Sequence, residues 1–592
     1  MSHTEHPAWS SPVGRATRAR WRLPALAAFV AATVAMSAGN RDALDALVDA
    51  QTARPFTPIT DAMLARPDPA DWLNWRRTLD GWGFSPLDQI NTRNVHQLQL
   101  AWSWALHEGE SQPTPLVANR TMYIPIPGGG AQALDAATGD FIWEYRPDPA
   151  PGTTRETGPM RSLALYDDKV FVATGDARLV ALDARTGAVA WNHQVADPKA
   201  GYRYTSGPIV ARGAIVAGIT GCQRYKNDVC FISAHDSRTG NELWRASTIA
   251  RPGEPGGDTW GDLPLTFRAG SDAWIPGSYD PGTNLIYWGT AQAKPWARFA
   301  RRTDGDALYT NSTLALDATT GRIVWYYQHI PGESHDMDET FERILVDLPG
   351  RSSVFTMGKL GILWELDRKT GRFLSARDLG YQNLIDVDPK TGKATYRPNT
   401  IPQPGVEISF CPSRSGFKSL RAMAYHPGTE AFYIPLNLSC ETGTFTDVKH
   451  EEGGGGNGQG RRKNRRHPES PDGIGEFLAM SARTGAILWR NRTEAQPNTA
   501  ALTTAGGLVV VGDWDRNLFV YDVTTGKTLY RTRLSTSVQG FPITYAVDGR
   551  QFIAVPAGTG GGQWITTIPA DTLPDKQPPP AGNALFVFAL PR

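Results

Sequence analysis

Apolar and polar positions alternate in short runs along most of the chain. Runs such as KVFVA, AIVAG, LIYWG and LVVVG are bounded by Gly, Asp, Asn and Thr. Such runs read as buried strands joined by tight turns. One pattern recurs, Ala-Leu-Asp-Ala-x-Thr-Gly-x-x-x-Trp. It appears as ALDAATGDFIW (Ala133 to Trp143), ALDARTGAVAW (Ala181 to Trp191), AHDSRTGNELW (Ala234 to Trp244) and ALDATTGRIVW (Ala315 to Trp325). Looser copies are ELDRKTGRFLS (Glu365 to Ser375), MSARTGAILW (Met480 to Trp489) and YDVTTGKTLY (Tyr521 to Tyr530). Each predicts a strand ending at Asp, a turn with Gly at positive φ, and a strand carrying Trp.

The motif glycines at 139, 187, 240, 321, 371, 485 and 526 are spaced by 48, 53, 81, 50, 114 and 41 residues. A unit of 40–50 residues is the spacing of propeller blades. Seven copies are visible. The eighth is expected from both ends, NALFVFAL (Asn583 to Leu590) before its turn and LQLAWSW (Leu98 to Trp104) after it. A blade made from both termini closes the ring and leaves no free edge. The expected fold is an all-β, eight-bladed β-propeller over residues 72–592. Long intervals place insertions at about 250–278 and 441–478. The second holds EEGGGGNGQGRRKNRRHP, read either as a solvated loop or as a docking patch (Arg461, Arg462, Lys463, Arg465, Arg466) for an acidic redox partner.

Composition supports this reading. Of 592 residues, 60 are Gly, 44 Pro and 19 Trp, an excess of turn formers and large aromatics that excludes a long-helix protein. Lys plus Arg (60) nearly balance Asp plus Glu (59), which argues against nucleic acid as partner. At the N-terminus, Arg15, Arg18, Arg20 and Arg22 precede an apolar run from Leu23 to Ala38. Residues 1–38 are expected to be a signal peptide or an uncleaved anchor, and 39–71 a linker. The mature chain is then exported to the periplasm, where disulfides form. Four cysteines allow three pairings, of which Cys222–Cys230 and Cys411–Cys440 is the expectation. There is no C-x-x-C-H for covalent haem.

The opening RRTLDGWGFSPLDQINTRNVHQLQLAWSWAL, with GSYDPGTNLIYWGTAQAKPW (Gly277 to Trp296), GDALYTNSTLALDATTGRIVWYYQHIPGESHDMDE (Gly305 to Glu339) and GFPITYAVDGRQFIAVPAG (Gly540 to Gly558), resembles the pyrroloquinoline-quinone (PQQ) dependent alcohol dehydrogenases. The resemblance implies PQQ on the propeller axis. It makes Trp274 the floor beneath the quinone, a role suited to an indole in a Gly- and Pro-rich insertion. Arg161 would pair with a cofactor carboxylate. Thr205 and Ser206 would hydrogen-bond its acids, Lys359 would reach the quinone oxygens and Asn437 would donate an amide.

Within HDMDE, Asp336 matches the base that takes the alcohol proton. The resemblance also implies a calcium or lanthanide ion. Its ligands would be Gln223 and Gln292, standing where the family has Glu and Asn, with Asp336 and Asp338. An Asp two residues after the base resembles the lanthanide-dependent members. Gln112 replaces another cofactor-contacting Glu, and Arg155 with Glu156 replaces a pair of adjacent cysteines. The implied partners are a small alcohol and a separate cytochrome c, with a homodimer as a candidate assembly. The competing expectation is a cofactor-free propeller that binds proteins.

Overall fold

The computed structural model describes residues 56–148, 156–558, 560 and 566–592. The expected signal or anchor segment and residues 39–55 lie outside them. Eight antiparallel sheets of four strands recur along the described chain, one of them widened by the two-residue strand Phe84–Ser85, which pairs in parallel with Leu502–Thr504. In one sheet, Gln99–Ala105 pairs with Ala584–Ala589, which continues through Arg550–Ala557 to Ile543–Val547. The two ends of the described chain therefore share a sheet. Without Gln99–Ala105, the outer edge of Ala584–Ala589 would be left unpaired.

The repeated turn explains itself atom by atom. The Asp183 carboxylate accepts the N–H groups of Arg185 (3.0 Å) and Thr186 (2.9 Å) and the Thr186 hydroxyl (2.9 Å), and Gly187 N–H closes onto Asp183 O at 2.9 Å. Asp236, Asp317, Asp367 and Asp522 repeat the pattern. The glycine has two reasons to be glycine. Its φ is positive (72° at Gly187), and a Cβ there would stand 2.7 Å from the Trp143 ring of the preceding sheet. That Trp donates its Nε1–H to Ala184 O at 3.0 Å.

The same indole-on-glycine contact joins Trp102 to Gly139, Trp191 to Gly240, Trp244 to Gly321, Trp325 to Gly371 and Trp489 to Gly526, and Trp191, Trp244 and Trp489 make the matching N–H bond. Burying an indole in this way is worth roughly 4–6 kcal/mol gross at about 25 cal/mol per Å². Where the repeat lacks Trp, in Glu365 to Ser375, the Arg377 side chain lies under Gly485 instead.

One further copy of the turn, Asp388 to Gly392, stands outside the four-stranded sheets. Asp388 caps Lys390 and Thr391 in the same way, but on a two-stranded hairpin, Ile385–Val387 with Ala394–Tyr396. Asp-x-x-Thr-Gly is therefore a turn code, and a blade also needs its full set of strands.

The long intervals hold structure of their own. The first connects two sheets rather than interrupting one: strand Glu242–Ser247 ends a sheet and Ser278–Asp280 begins the next. Between them lies Ala269–Gly270, which pairs with Ala293–Lys294, a segment that follows the second strand of the next sheet. The second leaves its sheet after Ala431–Asn437 and rejoins it at Gly475–Ser481. In between, Ser439–Phe445 pairs with Gln459–Arg466 and with the earlier strand Ile408–Phe410, making a three-stranded sheet. The basic run is thus a strand, not a solvated loop. Asn464 is held by Asp571, and Arg466 donates to Thr572 O, while Arg461 and Lys463 stay exposed.

Residues 56–71 pack rather than hang free. Ile59 N–H donates to Asp167 O at 2.8 Å, and Leu64 on helix Asp61–Ala65 is buried. The apolar Ile59 and Leu64 give this stretch something to bury, which a linker lacks. Both disulfides, Cys222–Cys230 and Cys411–Cys440, are formed. Among the described residues no helix is long and apolar enough to cross a membrane.

Candidate active site

A cavity of about 290 Å³ brings together Arg161, Thr205, Gln223, Trp274, Gln292, Asp336, Asp338 and Lys359, which lie as much as 198 positions apart in sequence (359 − 161). Trp274 forms one wall, braced edge-on by Phe341 (centroids 5.4 Å apart). The Arg161 guanidinium sits 5.0 Å from the indole centroid. Its Nε donates to Gln112 Oε1 (2.8 Å) and its Nη1 to Thr205 O (2.7 Å). Gln112 therefore orients Arg161 and does not itself line the cavity. Burial lowers the Arg161 pKa to about 10, so it stays cationic at neutral pH.

The facing wall is the segment 333–339. The Glu333 carboxylate accepts the N–H groups of His335 and Asp336 and turns the chain, leaving Asp336 at φ 78° with its carboxylate in the cavity. Gln292 Nε2 donates to Asp336. Lys359 Nζ lies 3.2 Å from Asp336 Oδ2, 2.9 Å from Asp338 Oδ2 and 2.7 Å from Asp336 O. Burial pushes the Asp336 pKa up to about 8, with Lys359 opposing the rise and Asp338 and Glu333 adding to it. Lys359 is itself held from behind. Phe417 N–H donates to Lys359 O (2.8 Å), and Gly416 has no Cβ because one would meet Lys359 Cγ at 2.5 Å.

Ser206 and Asn437 are buried beside this machinery but do not line the cavity. The Ser206 hydroxyl, the Gln112 amide nitrogen and both amide atoms of Asn437 have no partner within the protein. Such orphans each cost about 1–3 kcal/mol unless a ligand meets them.

Sequence reasoning missed, among other lining residues, Arg203, Asp272, Lys294 and Asn457. Lys294 pairs with Asp272 at 2.7 Å, and the other Asp272 oxygen accepts N–H groups from Gly221 (2.7 Å) and Cys222 (3.1 Å). The available signals were a charge inside the apolar run GTAQAKPW and an Asp two residues before Trp274. Asn457 ends the Gly-rich run, which roofs the cavity. Gly456 N–H donates to Gln223 O (2.8 Å), Tyr225 N–H to Gly454 O (3.0 Å) and Trp296 N–H to Asn457 O (3.0 Å). Glycine is required at 455, where φ is 87° and a Cβ would stand 2.5 Å from Gln223 O. A larger cavity of about 410 Å³ adjoins through Arg203, which lines both, but it contains none of the expected site residues.

The sequence profile of the glucose/ethanol/alcohol dehydrogenase β-propeller domain (PQQ) matches residues 72–376 and 474–553. Quinohemoprotein alcohol dehydrogenase ADH IIB of Pseudomonas putida is 32% identical over 553 residues, covering 88% of this chain and 77% of that one. Quinoprotein alcohol dehydrogenase PedH of Pseudomonas putida is 30% identical, covering 87% and 90%. Among solved structures, a europium-containing methanol dehydrogenase superposes with TM-score 0.82 at 27% identity, covering 90% of this chain and all of that one. The coverage spans both walls of the cavity as well as the repeated sheets. The chain belongs to the PQQ-dependent alcohol dehydrogenases, oxidoreductases built on a β-propeller.

Proposed function

We propose that this protein is a periplasmic quinoprotein dehydrogenase that oxidises a primary or secondary alcohol to the carbonyl. Family membership implies PQQ and a metal ion, and the two fare differently when tested against the residues present. PQQ fits. The cavity offers an indole face with a guanidinium beside it and the cations Arg203, Lys294 and Lys359 on its walls, suited to a ligand rich in carboxylate and carbonyl oxygens, and the unpartnered buried donors Asn437 Nδ2, Gln112 Nε2 and Ser206 Oγ lie behind those walls. A multivalent ion does not fit. Only two carboxylates, Asp336 and Asp338, belong to the expected ligand set, and Lys359 engages both. Among the described residues, the convergent trios of acidic, imidazole or thiol groups each contain both cysteines of a disulfide.

PQQ, when bound, supplies a two-electron hydride acceptor. Trp274, Arg161, Thr205 and Lys359 would bind and orient it from the cavity walls, with Ser206 and Asn437 buried behind them. Asp336 Oδ would take the O–H proton of the substrate alcohol as the alcohol is oxidised to its carbonyl. The Gly-rich run at 453–458, tied to Gln223 and Trp296, would limit access to this exchange. The two electrons pass on to a separate cytochrome c. Eight sheets counted as blades give an eight-bladed ring joined through the Gln99–Ala105 strand. Export rests on the arginines and apolar run of residues 15–38.

The observation that carries the reading is the convergence of Trp274, Arg161, Lys359 and Asp336 on one cavity. The test is PQQ reconstitution followed by dye reduction with a panel of alcohols, sugars and aldehydes. Stoichiometric PQQ uptake with alcohol-dependent dye reduction is expected. Protein that takes up no PQQ, or takes it up without oxidising any alcohol, overturns the proposal.

A further inference from the structure

Resting on the reading above, we propose that the Lys294 ammonium supplies the positive charge that a metal ion would otherwise place at the quinone oxygens, so that the PQQ-loaded enzyme works without bound metal. Four observations converge on it. The two residues expected as an anionic and a neutral metal ligand are both neutral glutamines, Gln223 and Gln292. The Gln292 amide turns its N–H₂ toward Asp336, offering that carboxylate a donor. Lys294 Nζ lines the same cavity and is held there, 2.7 Å from Asp272 Oδ2 with its side chain only 12% exposed. Finally, with every side chain ionised the lining residues sum to +1, Arg161, Arg203, Lys294 and Lys359 against Asp272, Asp336 and Asp338, and protonation of Asp336 only makes the sum more positive. Hard cations such as calcium take six to eight oxygens and are drawn by surplus negative charge. This cavity has the opposite balance. It suits an anionic ligand directly.

The position of Lys294 is built, not incidental. It sits on the two-residue ladder in which Ala269 pairs with Lys294 and Gly270 with Ala293. Gly270 N–H donates to Cys222 O (2.8 Å), tying that ladder to the Cys222–Cys230 disulfide. Asp272 is anchored by two main-chain N–H groups of the same loop, so the ammonium keeps its place without a mobile counter-ion. A fixed cation in a low-dielectric site stabilises negative charge that develops nearby, at no cost of reorganisation during the reaction. Lys359 does this from the side of Asp336 and Asp338, and Lys294 from the side of Gln223.

The experiment uses full-length protein loaded with PQQ in chelator-treated buffer. Metal content is read by mass spectrometry, PQQ uptake and quinone absorbance by spectrophotometry, and turnover by dye reduction. Substoichiometric metal is expected, with uptake, absorbance and turnover unchanged by EDTA, calcium or lanthanum. The paired variant Asp272→Asn/Lys294→Met removes both charges together and leaves no lone buried ion. It should keep PQQ uptake but lose about 10²-fold in kcat. Lys294→Arg should retain more turnover than that variant.

Gln223→Glu added to Lys294→Ala should create calcium- or lanthanum-dependent changes in quinone absorbance. The proposal is overturned if wild-type protein carries one metal per PQQ and loses its quinone spectrum on chelation. It is overturned equally if the paired variant turns over like wild type without metal. Failure of the parent reading looks different, since wild-type protein would then take up no PQQ under any metal condition.

Discussion

Replacing both cysteines of the 411–440 disulfide with serine should cost more stability than replacing those of the 222–230 disulfide. The cross-links close loops of 29 and 8 residues. In the chain-entropy account the unfolded state regains about 12 and about 8 cal/mol/K when each is removed, or about 3.6 and about 2.5 kcal/mol at 25 °C. For a unit of roughly 540 residues, Phe56 to Arg592, the unfolding entropy at the midpoint is about 1.1 kcal/mol/K. The expected falls in Tm are then about 3 °C for Cys411→Ser/Cys440→Ser and about 2 °C for Cys222→Ser/Cys230→Ser.

Hydrogen bonds should hold the first pair's native geometry after the change, because Ser413 N–H donates to Ser439 O (2.8 Å) and the two hydroxyls meet at 2.8 Å. The second pair has Cys222 N–H on Asp272, so its loss loosens the cavity wall instead. Differential scanning calorimetry of the apo forms, side by side, reads both values. A reversed order, or no fall in either variant, refutes the account in which these bonds act mainly on the unfolded chain.

The Asp336 pKa of about 8 gives activity a sign in pH. The base works only as carboxylate, so kcat/KM should rise about tenfold per pH unit below about 8 and level off above it; Lys359→Met should move that limb to higher pH, because Lys359 opposes the rise. Asp336→Asn should lower kcat by about 10²–10⁴ with PQQ uptake retained, measured by single-turnover kinetics. Trp274→Ala should weaken PQQ uptake in an absorbance titration, and equal uptake by wild type and variant would remove Trp274 from the binding wall. Gly455→Ala sets a Cβ 2.5 Å from Gln223 O at positive φ, so the roof should lift and KM for small alcohols rise more than kcat falls.

Much of the architecture was legible because it is written locally. Asp, Thr and Gly at fixed offsets close the same turn wherever they occur, and the Trp four residues after the Gly is large enough to demand a partner sheet. What such a code cannot say is how many strands surround it. Asp388 to Gly392 spell the same turn on a hairpin that belongs to no four-stranded sheet. The basic run 461–466 misleads for a related reason. Charge predicts solvent, but Asn464 and Arg466 find Asp571 and Thr572 more than a hundred residues away, and the run becomes a strand.

The candidate site divides in the same way. Asp336, Lys359, Arg161 and Trp274 could be named because the family resemblance gives each a role, and the fold gathers them into one cavity. Lys294, Asp272 and Asn457 could not. A lone lysine in an apolar run, an aspartate before a tryptophan or an asparagine after four glycines has no chemistry of its own in sequence. Each acquires one only when Ala269–Gly270 pairs with Ala293–Lys294 and the Gly-rich roof settles on Gln223.

By itself, then, the sequence determined the repeated turns and the chemical types at the site, since those rest on residues close together along the chain. The tertiary structure alone decided which charges face each other. Electrostatic and hydrogen-bond energies fall off within a few ångströms, and only the folded chain sets separations on that scale.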